Sequence, residues 1–208
     1  MQPCRQPTGG RTRVSPVRVS HSVLLVGAVA AGLASGMVAA QTPARATDRS
    51  LAPFVASPTD VVERMLTLAR VGPDDVVYDL GSGDGRIVIA AAQKFGARGV
   101  GVEIDPRLVN EAEANARAAG VQGRVKFILD DALKVNVSDA TVVTLYLLSA
   151  SNVKLRPMLT KQLRPGARIV AHSFGIGDWE PDLVDNYRDT SGTARTLYLW
   201  TFDGKYRP

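Results

Sequence analysis

The chain has 208 residues, 45% of them hydrophobic, which allows one domain with a sizeable core plus an extension and excludes wholesale disorder. The formal charge is +5, but Arg5, Arg11, Arg13 and Arg18 stand without an acid in residues 1–40, and residues 41–208 carry 21 basic and 20 acidic side chains. The body is therefore close to neutral, it lacks a broad basic footprint, and no nucleic-acid partner is expected. Cys4 is the only cysteine, which excludes an internal disulfide and a cysteine-based nucleophile or metal site in the body; no metal is expected.

Residues 22–40 follow the four arginines as an uncharged stretch rich in Val, Leu, Ala and Gly, ending in Val38-Ala39-Ala40 before Gln41. This is the pattern of a secretory signal peptide, or of an uncleaved anchor with membrane contact through residues 22–40. Both readings place the body outside the cytoplasm, exported, periplasmic or membrane-anchored, because the arginines stay inside. A start at Met37 gives a cytoplasmic protein instead. Residues 41–52 read as a linker and 53–208 as a single domain.

The body alternates strand-like and helix-like segments, the pattern of a parallel sheet covered by helices. Ser57-Pro58-Thr59-Asp60 opens a first helix, with Ser57 as cap and Asp60 at the capping-box position. Val61, Met65, Leu68 and Ala69 form its apolar face, and Gly72-Pro73 stops it. Strands follow at 75–80, 99–104, 125–129, 141–148 and 168–173. Helices are expected at 86–95, from Asp105-Pro106 to about 119, and at about 152–163, where Pro157 either kinks the helix or begins it. Two further strands, 182–187 and 196–202, pair antiparallel at the sheet edge.

Gly81-Ser82-Gly83-Asp84-Gly85 sits at the carboxyl end of the first strand, where open α/β sheets bind ligands. Glycines permit close backbone approach, and the next helix offers free N–H groups. A dinucleotide fingerprint wants its third glycine at the sixth position; here Arg86 stands there and Gly85 comes early. Asp79 and Asp84 flank the loop. They repel a pyrophosphate but suit a ligand with an ammonium and a sulfonium, which S-adenosylmethionine has. Glu103, twenty residues after Gly83, ends the second strand and suits both ribose hydroxyls as a bidentate acceptor. Asp130-Asp131-Ala132 ends the third strand, where one carboxylate or a backbone amide meets the adenine amino group.

Asp79 to Arg86, Val102-Glu103-Ile104-Asp105 and Asp131-Ala132 resemble the successive cofactor motifs of class I S-adenosylmethionine-dependent methyltransferases. Together with Phe54-Val55-Ala56-Ser57-Pro58 and Thr144-Leu145-Tyr146-Leu147-Leu148, they resemble the mitochondrial-type protein lysine N-methyltransferases and their bacterial relatives, and distantly the Dot1-like histone-lysine enzymes. The resemblance spans about residues 53–202. It implies a doubly wound, seven-stranded, mostly parallel α/β sheet and S-adenosyl-L-methionine as cofactor. By it, Asp79, Gly81 and Gly83 hold the methionine part, with Ser82 and Asp84 in the same loop. Glu103 takes the ribose, Asp131 and Ala132 the adenine, and Phe54 closes over the cofactor.

The fourth strand lacks the Asn/Asp-Pro-Pro-aromatic ending of adenine and glutamine methyltransferases, which disfavours amide and exocyclic-amine acceptors. The resemblance points to a protein substrate, membrane-associated or not, methylated on lysine; a monomer is expected. The alternatives are methylation of a small molecule and cofactor binding without turnover. Absence of an inserted substrate lid favours a large acceptor. Candidates for the acceptor mouth are Tyr146, Ser149 and Asn152, with His172 and Trp179. Each also has a plain structural reading: His172 as a hydrogen-bonded core residue, Asp84 as a helix cap, Tyr146 and Trp179 as packing aromatics, Phe54 as a staple.

Overall fold

Helix and strand alternate in the order the sequence patterning predicts. The computed structural model describes residues 51, 52 and 54–208, so the readings of residues 1–40, of Cys4 and of most of the linker 41–52 fall outside the described residues. The strands are β1 Val76–Leu80, β2 Arg98–Glu103, β3 Val125–Leu129, β4 Val142–Leu145, β5 Arg168–His172, β6 Leu183–Arg188 and β7 Ala194–Thr201. The helices are α1 Thr59–Leu68, α2 Arg86–Phe95, α3 Pro106–Ala118 and α4 Ser149–Gln162.

The sheet order is β3-β2-β1-β4-β5-β7-β6. Strands β1 to β5 pair in parallel, whereas β7 runs antiparallel to both β5 and β6. This is the doubly wound, mostly parallel α/β sheet expected. The chain winds from β1 towards β3 on one side and through β4 and β5 on the other, so a crevice opens beyond the carboxyl ends of β1 and β4.

Side chains alternate across the strands, and that alternation assigns the helices to faces. Val77, Val142 and Val170 pack with Met65 of α1 and Ile87 of α2 in one cluster. Tyr78, Val143 and Ile169, one residue to either side along each strand, pack with Leu155 and Leu159 of α4 and with Trp200 in the other. Burial of each such side chain contributes roughly 1.5–3 kcal/mol before entropy is counted. A central strand covered on both faces must be apolar throughout, which is why 142–145 reads as an almost unbroken apolar run.

Several local expectations need correction. Ser57 does not cap α1: Pro58 holds the cap position without a side-chain bond. Asp60 does not close a capping box; its carboxylate accepts from Val61 N–H (2.9 Å) and Thr190 N–H (2.7 Å). Helix α1 ends before Gly72-Pro73, through Arg70 at φ 51° with Val71 N–H bonded back to Leu66 O, a left-handed closure made without glycine. The fourth strand ends at Leu145 rather than 148, because its pairing with β5 stops at Leu145 opposite Ala171. Residues 146–148 leave the sheet, and α4 begins at Ser149, three residues earlier than expected. Pro157 lies inside α4. Asp105 caps α3 as expected, accepting from Arg107 N–H at 2.9 Å.

Candidate active site

A cleft of about 610 Å³ lies at the switch point. Its wall includes Phe54, Ser57, Asp79, Gly81, Ser82, Asp84 and Arg86, then Glu103 with the segment 104–108, then Asp131 and Ala132, and finally Tyr146 and Leu147. Its size fits a cofactor-sized ligand. The cleft gathers residues from the ends of β1, β2, β3 and β4, which no local sequence pattern joins.

The glycine loop is held from below. Gly81 N–H and Ser82 N–H donate to Val102 O at 2.8 and 3.0 Å, which ties the loop to β2. Gly83 N–H donates to Glu103 Oε2 at 2.9 Å, while Glu103 Oε1 accepts from Ile104 N–H (2.8 Å) and Asp105 N–H (3.0 Å). Glu103 is therefore buried and fixed by three backbone donors. Both acceptor positions of Oε1 are taken, and Oε2 keeps one open for a ligand hydroxyl, so the bidentate acceptance expected from sequence is reduced to one oxygen. Gly83 has φ 53°, and a Cβ there would lie 2.2 Å from Phe54 Cε2, so the aromatic ring rests directly on the loop. Phe54 is half exposed in that position, as a cover rather than a core residue.

Asp79 is the most unusual group in the cleft. It is 3% exposed and accepts a hydrogen bond from Thr144 Oγ1 at 2.7 Å. Burial, reinforced by the nearby negative charges of Glu103 and Asp84, pushes its carboxyl up to about 7. A carboxylate so poorly served is preorganised for a cationic partner. Asp84, in contrast, already has one: Arg86 Nε donates to its Oδ1 at 2.9 Å and Arg86 Nη2 to its Oδ2 at 2.5 Å. Arg86 Nη1 also donates to Ser57 O at 2.8 Å, linking the loop to the segment before α1. Of the two acids flanking the loop, Asp79 is the one left to meet a ligand cation.

Asp130, Asp131 and Ala132 all stand in the cleft wall; Asp131 Oδ1 accepts from Leu133 N–H at 3.0 Å, and Asp130 Oδ1 accepts from Asp131 N–H at 2.7 Å. Ser82, another residue of the cleft wall, has a buried Oγ without a hydrogen-bond partner. Among the described residues, no group of His, Cys, Asp and Glu is arranged to hold a metal.

The acceptor candidates divide. Tyr146 and Leu147 line the cleft. Ser149 and Asn152 do not: Ser149 is exposed at the start of α4, and Asn152 is fully buried, donating from Nδ2 to Phe174 O (3.0 Å) and Gly175 O (3.3 Å). Trp179 packs against Trp200 and Phe202 and lies beneath the Arg207 guanidinium, away from the cleft. His172 is fully buried, its Nδ1 3.2 Å from Ser57 Oγ, its ring stacked on Tyr146 with centroids 4.0 Å apart. Desolvation, with a contribution from Arg195, pushes its imidazole down to about 4, so it stays neutral.

Ser57, Arg86 and Thr144 fall within the matched motifs, but sequence assigns none of them a part in the site. Thr144 was legible: a hydroxyl in an otherwise apolar central strand needs a partner. Asp79 is its register neighbour on β1. Ser57 and Arg86 carry no such signal, because their bond is made between segments 29 residues apart in sequence.

The geometry has counterparts among known proteins. The model of the ANTKMT methyltransferase domain matches residues 79–183. A protein-lysine N-methyltransferase of Saccharolobus islandicus is 46% identical over 149 residues, covering 71% of this chain and 92% of that one. The adenine nucleotide translocase lysine N-methyltransferase of Mus musculus is 36% identical over 151 residues, covering 73% of this chain and 62% of that one. Among solved structures, an RNA methyltransferase from Salinibacter ruber in complex with S-adenosyl-L-homocysteine is 52% identical with a TM-score of 0.69, over 74% of this chain and 97% of that chain. On the matched motifs, the sheet order and these likenesses, the chain belongs to the ANTKMT methyltransferase-domain family.

Proposed function

We infer that the protein transfers a methyl group from S-adenosyl-L-methionine to the amine of a protein lysine. The observation that carries the cofactor reading is Asp79, a buried carboxylate without a cation, beside Glu103 fixed at the end of β2. These groups fit the ligand: Asp79 the α-ammonium, Glu103 Oε2 a ribose hydroxyl, Asp131 and Ala132 the adenine edge. Support for lysine comes from the relatives in Saccharolobus islandicus and Mus musculus, both lysine N-methyltransferases.

The cofactor supplies a methyl group on a sulfonium that already carries its leaving group. The chain's contribution is positioning. The amine lone pair attacks the methyl carbon, the carbon–sulfur bond breaks with its electrons going to sulfur, and the methylated ammonium gives its proton to water. A free lysine amine is protonated, with pKa about 10.4, so it must shed a proton first. Desolvation favours that loss. Phe54, Val55 and Leu147 line the cleft and supply apolar surface. The mechanism asks no residue to act as general base.

The Salinibacter ruber neighbour makes RNA the second acceptor to test. The nearly balanced charge of residues 41–208 gives RNA little electrostatic footing. Incubating the full chain with S-adenosylmethionine labelled in its methyl group and a cell extract, then separating protein, RNA and small molecules, distinguishes the acceptors. Label in protein supports the reading. Label in the RNA or small-molecule fraction alone, or none anywhere, overturns it.

A further inference from the structure

The sheet order fixes a direction along the cleft. The groups suited to adenine stand at the end of β3, that suited to ribose at the end of β2, and that suited to the ammonium on β1. The next strand in the same direction is β4, whose carboxyl end runs into Tyr146 and Leu147. A Cβ on Gly81 would lie 2.9 Å from Leu147 Cδ2, so the β4 exit closes directly on the glycine loop. On the reading that the cleft takes S-adenosylmethionine, this exit is the part of the wall left for the methyl-transfer end once β3, β2 and β1 serve adenine, ribose and ammonium.

Tyr146 stands between the cleft and a fully buried residue. It lines the cavity, while one face of its ring is covered by His172, the centroids 4.0 Å apart and the planes inclined by 26°. The covered face cannot serve a ligand, so the remaining face and edge are what the cleft receives. His172 itself is held on three sides. Its Nδ1 is bonded to Ser57 Oγ, and Ser57 is held in turn by Arg86. Strand β5 ends at His172 in a three-residue turn, Phe174 N–H donating to His172 O at 2.8 Å with Ser173 at φ 64°. Positive φ at a non-glycine residue is strained and persists only where the surroundings impose it. Asn152 secures the far side of that turn through Phe174 O and Gly175 O. The result is an uncharged aromatic support whose position is set by four separate elements.

We propose that His172 is the positioning residue of the methyl-transfer end of the cleft, holding Tyr146 so that its ring faces the cationic sulfonium-methyl group. Cations are attracted to the electron-rich face of an aromatic ring. A neutral imidazole behind the ring leaves that attraction intact, whereas a cationic residue in its place would oppose the sulfonium. Neither His172 nor Ser57 contacts the methyl group; both act through Tyr146.

The probes are S-adenosylmethionine, which carries the sulfonium charge, and S-adenosylhomocysteine, the same molecule with a neutral thioether. Calorimetric titration of the full chain with each gives a preference ratio that depends on what faces the sulfur and requires no methyl acceptor. His172→Leu is expected to lower that preference about three- to tenfold while leaving homocysteine-form binding within about twofold. His172→Phe, which keeps the stacked ring and loses the Ser57 bond, is expected to restore most of it. Tyr146→Leu, a cleft-facing change that does not open the core, is expected to lower the ratio as far as His172→Leu and covers the case in which the latter fails to fold. Unchanged ratios in Tyr146→Leu, or equal loss of both ligands in His172→Leu, overturn the proposal. Failure of the unmodified protein to bind either ligand overturns the cofactor reading instead.

Discussion

Replacing Asp79 with Asn separates what the site needs from what the fold needs. The carboxyl is pushed from 3.8 up to about 7 by burial and by two neighbouring acids. A group whose pKa is raised on folding holds its proton in the native state between the two values, so its contribution to stability falls as pH rises from about 4 to 7. Above pH 7 the folded protein carries the full cost of an ionised, buried carboxylate, about 4 kcal/mol for a rise of that size. Asn is nearly isosteric and keeps an oxygen for the 2.7 Å bond from Thr144. Asp79→Asn is therefore expected to raise the stability of the ligand-free protein at pH 8 by up to about 4 kcal/mol, with the gain fading towards pH 4. His172 titrates in the opposite sense over part of the range, so the quantity to plot is the difference between variant and parent in urea unfolding at each pH. The same variant should bind S-adenosylmethionine at least about tenfold more weakly, since it removes the charge proposed to meet the ammonium. A variant no more stable than the parent at pH 8 rules out a costly ionised carboxylate at Asp79, and one that binds the cofactor as well rules out its pairing with the ammonium.

Other perturbations follow from the same contacts. Glu103→Ala removes the acceptor of three backbone N–H groups as well as the proposed ribose contact. Calorimetry should show affinity for S-adenosylmethionine down more than about tenfold, with Glu103→Gln intermediate. Gly83→Ala should displace Phe54 from the loop and weaken cofactor binding, and Phe54→Ala should weaken it similarly while leaving the melting temperature nearly unchanged. Trp200→Ala, in the core away from the cleft wall, should cost about 3–5 kcal/mol in unfolding without altering affinity in the protein that remains folded. The neutral state of His172, whose pKa is lowered by burial, contributes stability that is complete above pH 6.5 and lost as pH falls towards 4; His172→Phe should flatten that part of the profile.

What the sequence made legible was whatever repeats with a period or clusters within one segment. The strand at 125–129 and the helix at 86–95 coincide with the observed elements because alternation and capping act locally. The glycine loop was legible for the same reason, its two flanking acids lying within one short segment. The different fates of Asp79 and Asp84 were not. They depend on Arg86 folding back on one and on Thr144, from another strand, reaching the other. Ser57 looked like a helix cap because Ser-Pro-Thr-Asp is a capping sequence; the hydroxyl is instead drawn to His172, 115 residues away. The fourth strand was read too long because its apolar run continues past the point where β5 stops pairing, and the first of those extra residues, Tyr146 and Leu147, form the wall of the site. Ser149 and Asn152 were grouped with Tyr146 by proximity in sequence, but the turn into α4 carries them out of the cleft.

Transfer to lysine is decided by amino-acid analysis of the labelled product. Protein labelled by the full chain and methyl-labelled S-adenosylmethionine is hydrolysed, and the products are separated by chromatography. Label is expected in N-methylated lysine, and about tenfold less of it or lower when Asp79→Asn replaces the parent protein at limiting cofactor. Label recovered in any other amino acid, or in nucleotides, would contradict it.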